Sequence, residues 1–205
     1  MSPRSGRALA AMALAALLVA CGGPGATTTG SPTSTPSVSA PPPAKSARSV
    51  SAVGRSIPVG LRIPAIGVDT PVMKLGLAAD GSVQVPPIAA HDRAGWYEHS
   101  PTPGQTGPSV ILGHVTVGAY GDGVFRRLGE LHRGEKIVTR LENGTAAVFA
   151  VTAVRTVSKA RFPSDEVYGN VNRPELRLIT CGGKRTGDGY LDNVIVFARL
   201  SSASP

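Results

Sequence analysis

The sequence has little cysteine, few aromatics and no long apolar run. Each shortage closes off a class of protein. Only two cysteines occur in 205 residues, Cys21 and Cys181, too few for a disulfide-stapled scaffold or a four-ligand thiolate metal site. Aromatics make up 4% of the chain, and no basic run is interleaved with them, so a base-stacking nucleic-acid surface is excluded. The longest apolar stretch, residues 8–20, is thirteen residues of Ala, Leu, Met and Val. A membrane-spanning helix needs about 20. No internal repeat is visible, no glycine-rich phosphate loop follows a strand pattern, and no Gly-x-Ser-x-Gly elbow occurs.

What is present divides unevenly. Arg4 and Arg7 precede the apolar run, and Leu18-Val19-Ala20-Cys21-Gly22 follows it. Residues 1–20 therefore read as an export signal. The sequence around Cys21 resembles a lipoprotein cleavage box, with Cys21 the residue that is acylated. An uncleaved signal anchor and simple secretion are the alternatives, and all three put the folded part outside the cytoplasm. Residues 21–56 then form a tether, rich in Ser, Thr, Pro, Gly and Ala, with too little to bury to offset the entropy of ordering. The formal charge is +8, or +6 once Arg4 and Arg7 are removed with the signal. That excess predicts attraction to anionic lipid or anionic polymer.

From residue 57 to 200 the pattern is short β-type runs: 57–63, 70–75, 83–85, 109–112, 136–141, 146–157, 176–180 and 193–200. Glu142-Asn143-Gly144 between two alternating runs predicts a hairpin. Residues 123–131, with Val124, Phe125, Leu128 and Leu131 on one side, hold one or two helical turns. The expected fold is mainly β: a single closed or nearly closed eight-stranded barrel with one or two short helices, followed by a tail over 201–205.

Two of these runs end in chemistry. Val110-Ile111-Leu112 leads into Gly113-His114, and Leu176-Arg177-Leu178-Ile179-Thr180 leads into Cys181-Gly182-Gly183. A side chain at the mouth of a buried strand is held by the sheet yet reachable from a groove. The small residues after Cys181 would let a substrate backbone approach. With Cys21 acylated, Cys181 is the lone thiol of the exported chain, either a core residue or a reactive one. His91, His99 and His132 read as surface or loop histidines, and the pattern calls for no metal or cofactor.

Leu178-Ile179-Thr180-Cys181 resembles the Thr-Leu-x-Thr-Cys signature of sortases, and Gly113-His114 resembles their catalytic histidine. Thr180-Cys181-Gly182-Gly183, Asp192-Asn193-Val194-Ile195-Val196, Ala94-Gly95-Trp96-Tyr97, Phe162-Pro163 and Val167-Tyr168-Gly169 are similar to the actinobacterial class F group. The resemblance implies a transpeptidase, with Cys181 forming an acyl-thioester on the sorting signal of an exported protein. His114 is then the proton carrier, and an amine, of a cell-wall precursor or another protein, is the acceptor. It implies a monomer without nucleic-acid partners.

Sortases also supply an arginine early in the last strand. Here Asn193 occupies that place. Asn193 and Arg185 are the candidates for oxyanion stabilisation, with Arg199 third because about 20 Å of strand separates it from Asn193. The competing readings are a hydrolase using the same thiol, and a lipid-anchored β-barrel binding module whose Cys181 is structural.

Overall fold

The computed structural model describes residues 50–187 and 189–205. The expected signal, Cys21 and most of the tether lie outside the described residues.

Eight strands close into a barrel in the order β1-β2-β3-β4-β7-β8-β6-β5. They are β1 (Pro58–Ile63), β2 (Val68–Leu75), β3 (Ala94–Tyr97), β4 (Gly107–Leu112), β5 (Lys136–Leu141), β6 (Ala146–Ser158), β7 (Pro174–Thr186) and β8 (Gly189–Ser204). The local reason is alternation. β1 and β5 bury roughly every second residue, so one face of each is the barrel interior. That interior holds Trp96, Phe125, Phe149, Leu61, Ile63, Ile137, Leu176 and Leu178, all essentially inaccessible to water.

β4 breaks the alternation, with all six residues buried. It lies beside β7, whose first seven residues are also buried. Their outer faces are covered as well. Leu112, Ile179, Ile195, Phe197 and Val167 form a second apolar cluster, with Phe162 and Tyr97 packed against it. The cover includes the only α-helix among the described residues, α1 (Ser164–Tyr168). A strand buried on both faces reads as a near-continuous apolar run, as residues 110–112 do, and as 176–179 do apart from the buried Arg177.

One expectation is corrected, and one element, α1, was not placed by the sequence. Residues 83–85 form no strand; Val83 makes one isolated bridge to Leu77. Three residues between turn signals are too few to hold a ladder by themselves. β3 took the place instead, since Ala94, Gly95 and Trp96 are buried. Residues 123–131 hold one 3-10 turn, Leu128–Glu130, within the one or two turns expected, and Phe125, Leu128 and Leu131 face the core. The helix forms at Ser164–Tyr168, where Pro163 precedes it and Asp165 and Glu166 occupy its first turn. One turn is too short to show a helical period. The expected hairpin is present, joining β5 to β6 with Gly144 at φ 87°.

The barrel has two distinct ends. At one, the chain enters: the Val53 amide donates to the Gly104 carbonyl at 2.9 Å, and the Ser56 amide to Thr102 Oγ1 at 3.3 Å. The docked chain thus extends a few residues upstream of residue 57. At the other end β4 stops beside Ile179, while β7 runs on to Thr186 in its hairpin with β8.

Candidate active site

β4 and β7 are parallel neighbours, with Leu112 opposite Ile179. Two contacts carry the pairing past the end of β4. The Gly113 amide donates to the Ile179 carbonyl at 3.1 Å, and the Thr180 hydroxyl donates to the Gly113 carbonyl at 2.7 Å. The next residue on each strand is His114 and Cys181. Adjacent strands lie about 4.8 Å apart, so the register brings His114 and Cys181 to adjacent positions along the two chains. Both line one small apolar cavity of about 160 Å³, with Val85, Leu112, Ile179 and Asn193.

The imidazole is oriented by the chain before β3. His114 Nε2 lies 2.7 Å from the Pro86 carbonyl oxygen. A carbonyl only accepts, so Nε2 carries a proton and Nδ1 is the nitrogen left to exchange one. Cys181 itself is a free, half-buried thiol. A structural cysteine belongs among closed apolar neighbours, whereas this one opens onto cavities on two sides. The structural-cysteine reading loses its footing there.

Asn193 sits directly across the β7–β8 ladder from Cys181, and cross-strand partners share a face. Arg185 is elsewhere. It pairs with Tyr190 near the hairpin tip, its guanidinium 6.0 Å from that ring, and it lines neither cavity beside the thiol. Arg199 is opposite Glu175, at the entry end of the barrel, with Nε 3.4 Å from Glu175 Oε1. The long strand separation read from sequence is real, and Arg199 is out of the site.

The two residues after the thiol are glycine for the hairpin's sake. A Cβ on Gly182 would lie 2.7 Å from Val194 Cγ2, and Gly183 adopts φ +72° where a Cβ would strike Asp192. These positions hold the β7–β8 hairpin in register, a reason independent of substrate approach.

Sequence reading missed two arginines. A second cavity of about 210 Å³ flanks Cys181, lined among others by Arg126, Arg127, Glu130 and Tyr190. Arg126 pairs with Asp122 at 2.9 Å and Arg127 with Glu130 at 2.7 Å, all four side chains exposed. The signal was available. Phe125 and Leu128 turn inward, which leaves the residues between them facing out. Across the same mouth, Thr116 Oγ1 and the Tyr190 hydroxyl are hydrogen-bonded, tying the loop after His114 to the hairpin. His99 and His132 are exposed, as expected, and His91 packs on Tyr120 at 5.4 Å.

The Sortase domain family profile matches residues 61–201, most of the chain and all eight strands but the start of β1 and the end of β8. This chain belongs to the sortase family. Among solved structures, a sortase from Actinomyces oris named SrtA is 27% identical, covering 82% of this chain and 89% of that one, with a TM-score of 0.55. Sortase A from Listeria monocytogenes is 19% identical at TM-score 0.54, covering 72% of this sortase and 89% of its own chain. Sortase A from Corynebacterium diphtheriae is 18% identical at TM-score 0.54, covering 72% of this chain, which spans 61% of that one. The last two likenesses concern the barrel fold. A comparison with curated proteins found no match.

Proposed function

We propose that this sortase is a cysteine transpeptidase of the class F type, cleaving the sorting signal of an exported protein and passing it to an amine. The observation that carries the reading is the β4–β7 register, which ends with His114 and Cys181 on one cavity.

The chemistry follows from the residues. A thiol is a weak nucleophile until deprotonated, and an adjacent imidazole holds the proton it gives up. The Cys181 thiolate attacks the carbonyl carbon of the scissile bond, and the carbonyl oxygen gains the negative charge. The Asn193 amide, across the ladder from the sulfur, is our candidate donor to that oxygen. His114 gives its proton to the leaving amine as the C–N bond breaks, leaving an acyl-thioester on Cys181. An incoming amine attacks the thioester, His114 takes up its proton, and the thiolate leaves. Water in place of the amine gives hydrolysis. The apolar cavity with Val85, Leu112 and Ile179 suits an aliphatic side chain of a Leu-Pro-x-Thr-Gly-type signal.

The N-terminal reading completes the proposal. An export signal over 1–20, acylation at Cys21 and a tether to residue 56 would hold the domain outside the cytoplasm on the membrane. No described helix is long and apolar enough to cross a membrane.

The test is mass spectrometry of the intact protein after incubation with a Leu-Pro-x-Thr-Gly peptide. A mass increment equal to the acyl fragment, located on Cys181 and discharged by an added amine, is expected. No adduct under conditions where a thiol reagent labels Cys181 would refute it. Discharge by water alone, unaffected by amines, would make the protein a hydrolase.

A further inference from the structure

On the outer face of β7 and β8, at the end where the chain enters the barrel, lies a groove unconnected with the thiol. Its cavity is about 280 Å³ and its lining includes Arg133, Arg155, Arg173 and Arg199, with Phe197 as floor and Glu175 as the single acid. All four arginines are exposed. A fifth, Arg177, is buried beneath them. The Arg155 and Arg177 guanidiniums lie 4.4 and 4.7 Å from the centre of the Phe197 ring, a cation–π arrangement that fixes both planes.

Glu175 cannot neutralise this group. Its carboxylate, nearly inaccessible to solvent, accepts from Arg173 Nε and Arg177 Nη2, each at 2.6 Å, and faces Arg199 Nε at 3.4 Å. Glu166 takes Arg155. Two carboxylates therefore serve five guanidiniums. Arg133 has no ion pair among the described residues. Planar, preorganised guanidinium forks in this excess are suited to the oxygens of a phosphate group.

Position selects the occupant. The entering chain binds Gly104 through Val53, and three residues on, the Gly107 amide donates to the Arg173 carbonyl at 3.0 Å. The groove thus adjoins the point where the chain preceding the barrel arrives. Cys181 is six residues from Glu175 along β7, about 20 Å away.

We propose that this groove docks the domain on an anionic membrane by binding phospholipid phosphate, with Cys181 held at the end away from the lipid. The choice of a membrane rests on the tether reading. The groove's preference for phosphate rests on its charge alone.

The test uses the full chain mixed with phosphatidylcholine vesicles, with or without about 30% phosphatidylglycerol. Arginine modification by phenylglyoxal is then read residue by residue by mass spectrometry. Phosphatidylglycerol is expected to lower modification of Arg133, Arg155, Arg173 and Arg199 by about fivefold or more. Arg126 and Arg127, at the thiol end, serve as the internal comparison and keep their reactivity. High salt restores the groove's modification.

Equal modification in both lipids overturns the proposal, as does equal protection of Arg126 and Arg127. Soluble polyphosphate protecting the groove as well on phosphatidylcholine vesicles would assign it to a soluble polyanion and overturn the membrane. The outcome is separate from the catalytic reading, because acyl-enzyme formation on Cys181 is measured in the same samples. It is also separate from the anchor, since protection by phosphatidylglycerol is expected whether or not the N-terminal segment inserts.

Discussion

One face of the β7–β8 ribbon carries two unlike sites. At the entry end, Glu175, Arg177 and Arg199 lie in a crowded, charged, interlocked group. At the far end, the same alternating positions hold Cys181 and Asn193, with no ion pair on either among the described residues. Between them Ile195 is fully buried in the apolar cluster that includes Val167 of α1. The comparison shows a single ladder separating two electrostatic regimes. The Cys181 thiol has small and apolar neighbours on one side and a cavity lined by Arg126, Arg127 and Glu130 on the other, whereas the guanidinium cluster around Glu175 sits about 20 Å off, well beyond the screening length of about 8 Å at physiological salt.

The largest effect that would break this comparison is at the thiol. Cys181→Ala should abolish acyl-enzyme formation, a loss of about 10³-fold or more. Its thermal midpoint should stay close to wild type, measured by calorimetry. His114→Ala should cost about 10²–10⁴-fold in acylation.

Next comes the donor. Asn193→Ala should slow acylation by about 10²-fold, read from single-turnover kinetics. Arg185→Ala, whose guanidinium rests over Tyr190, should slow it far less. The reverse ranking would move the oxyanion donor to the hairpin.

At the charged end the readout is stability. Glu175→Gln leaves the guanidiniums of Arg173, Arg177 and Arg199 without their shared acceptor, one of them buried. The expected loss is about 3 kcal/mol, a fall in thermal midpoint of roughly 6–12 °C. Burial alone raises the Glu175 carboxyl, yet the hydrogen bonds from Arg177 and Arg173 outweigh it and hold its pKa below the ordinary 4.5. A depressed pKa means stability that is fully present above about 4.5 and lost as pH falls through the folded value. The thermal midpoint of wild type should drop with acid in that window more steeply than that of Glu175→Gln.

The smallest effect is at the mouth of the thiol cavity. Tyr190→Phe removes the hydrogen bond to Thr116 and should cost about 1 kcal/mol of stability. Hydrogen exchange around Tyr190 should rise.

Legibility in the sequence differed between the two ends for the same reason that their chemistry differs. The thiol end is written locally. Gly113-His114 and Thr180-Cys181 each close an apolar run, and a run buried on both faces keeps its signature without knowledge of its neighbours. The charged end is assembled from Arg133, Arg155, Arg173, Arg177 and Arg199 on four separate stretches, and no spacing along the chain marks it. α1 is not legible in the sequence because a single turn has no period to detect.

Alternation of apolar and polar residues, read along the chain, therefore determined that this protein is a β-barrel, and its signature motifs determined the family. The tertiary structure decided which strands are neighbours. β4 and β7 are separated by two strands in sequence yet parallel in space. Their register brings His114 and Cys181 to one cavity, while the β7–β8 register sets Asn193 opposite Cys181 and Arg199 at the opposite end. Period-two patterning tells a residue which face it occupies, whereas its partners are chosen by closure of the whole barrel.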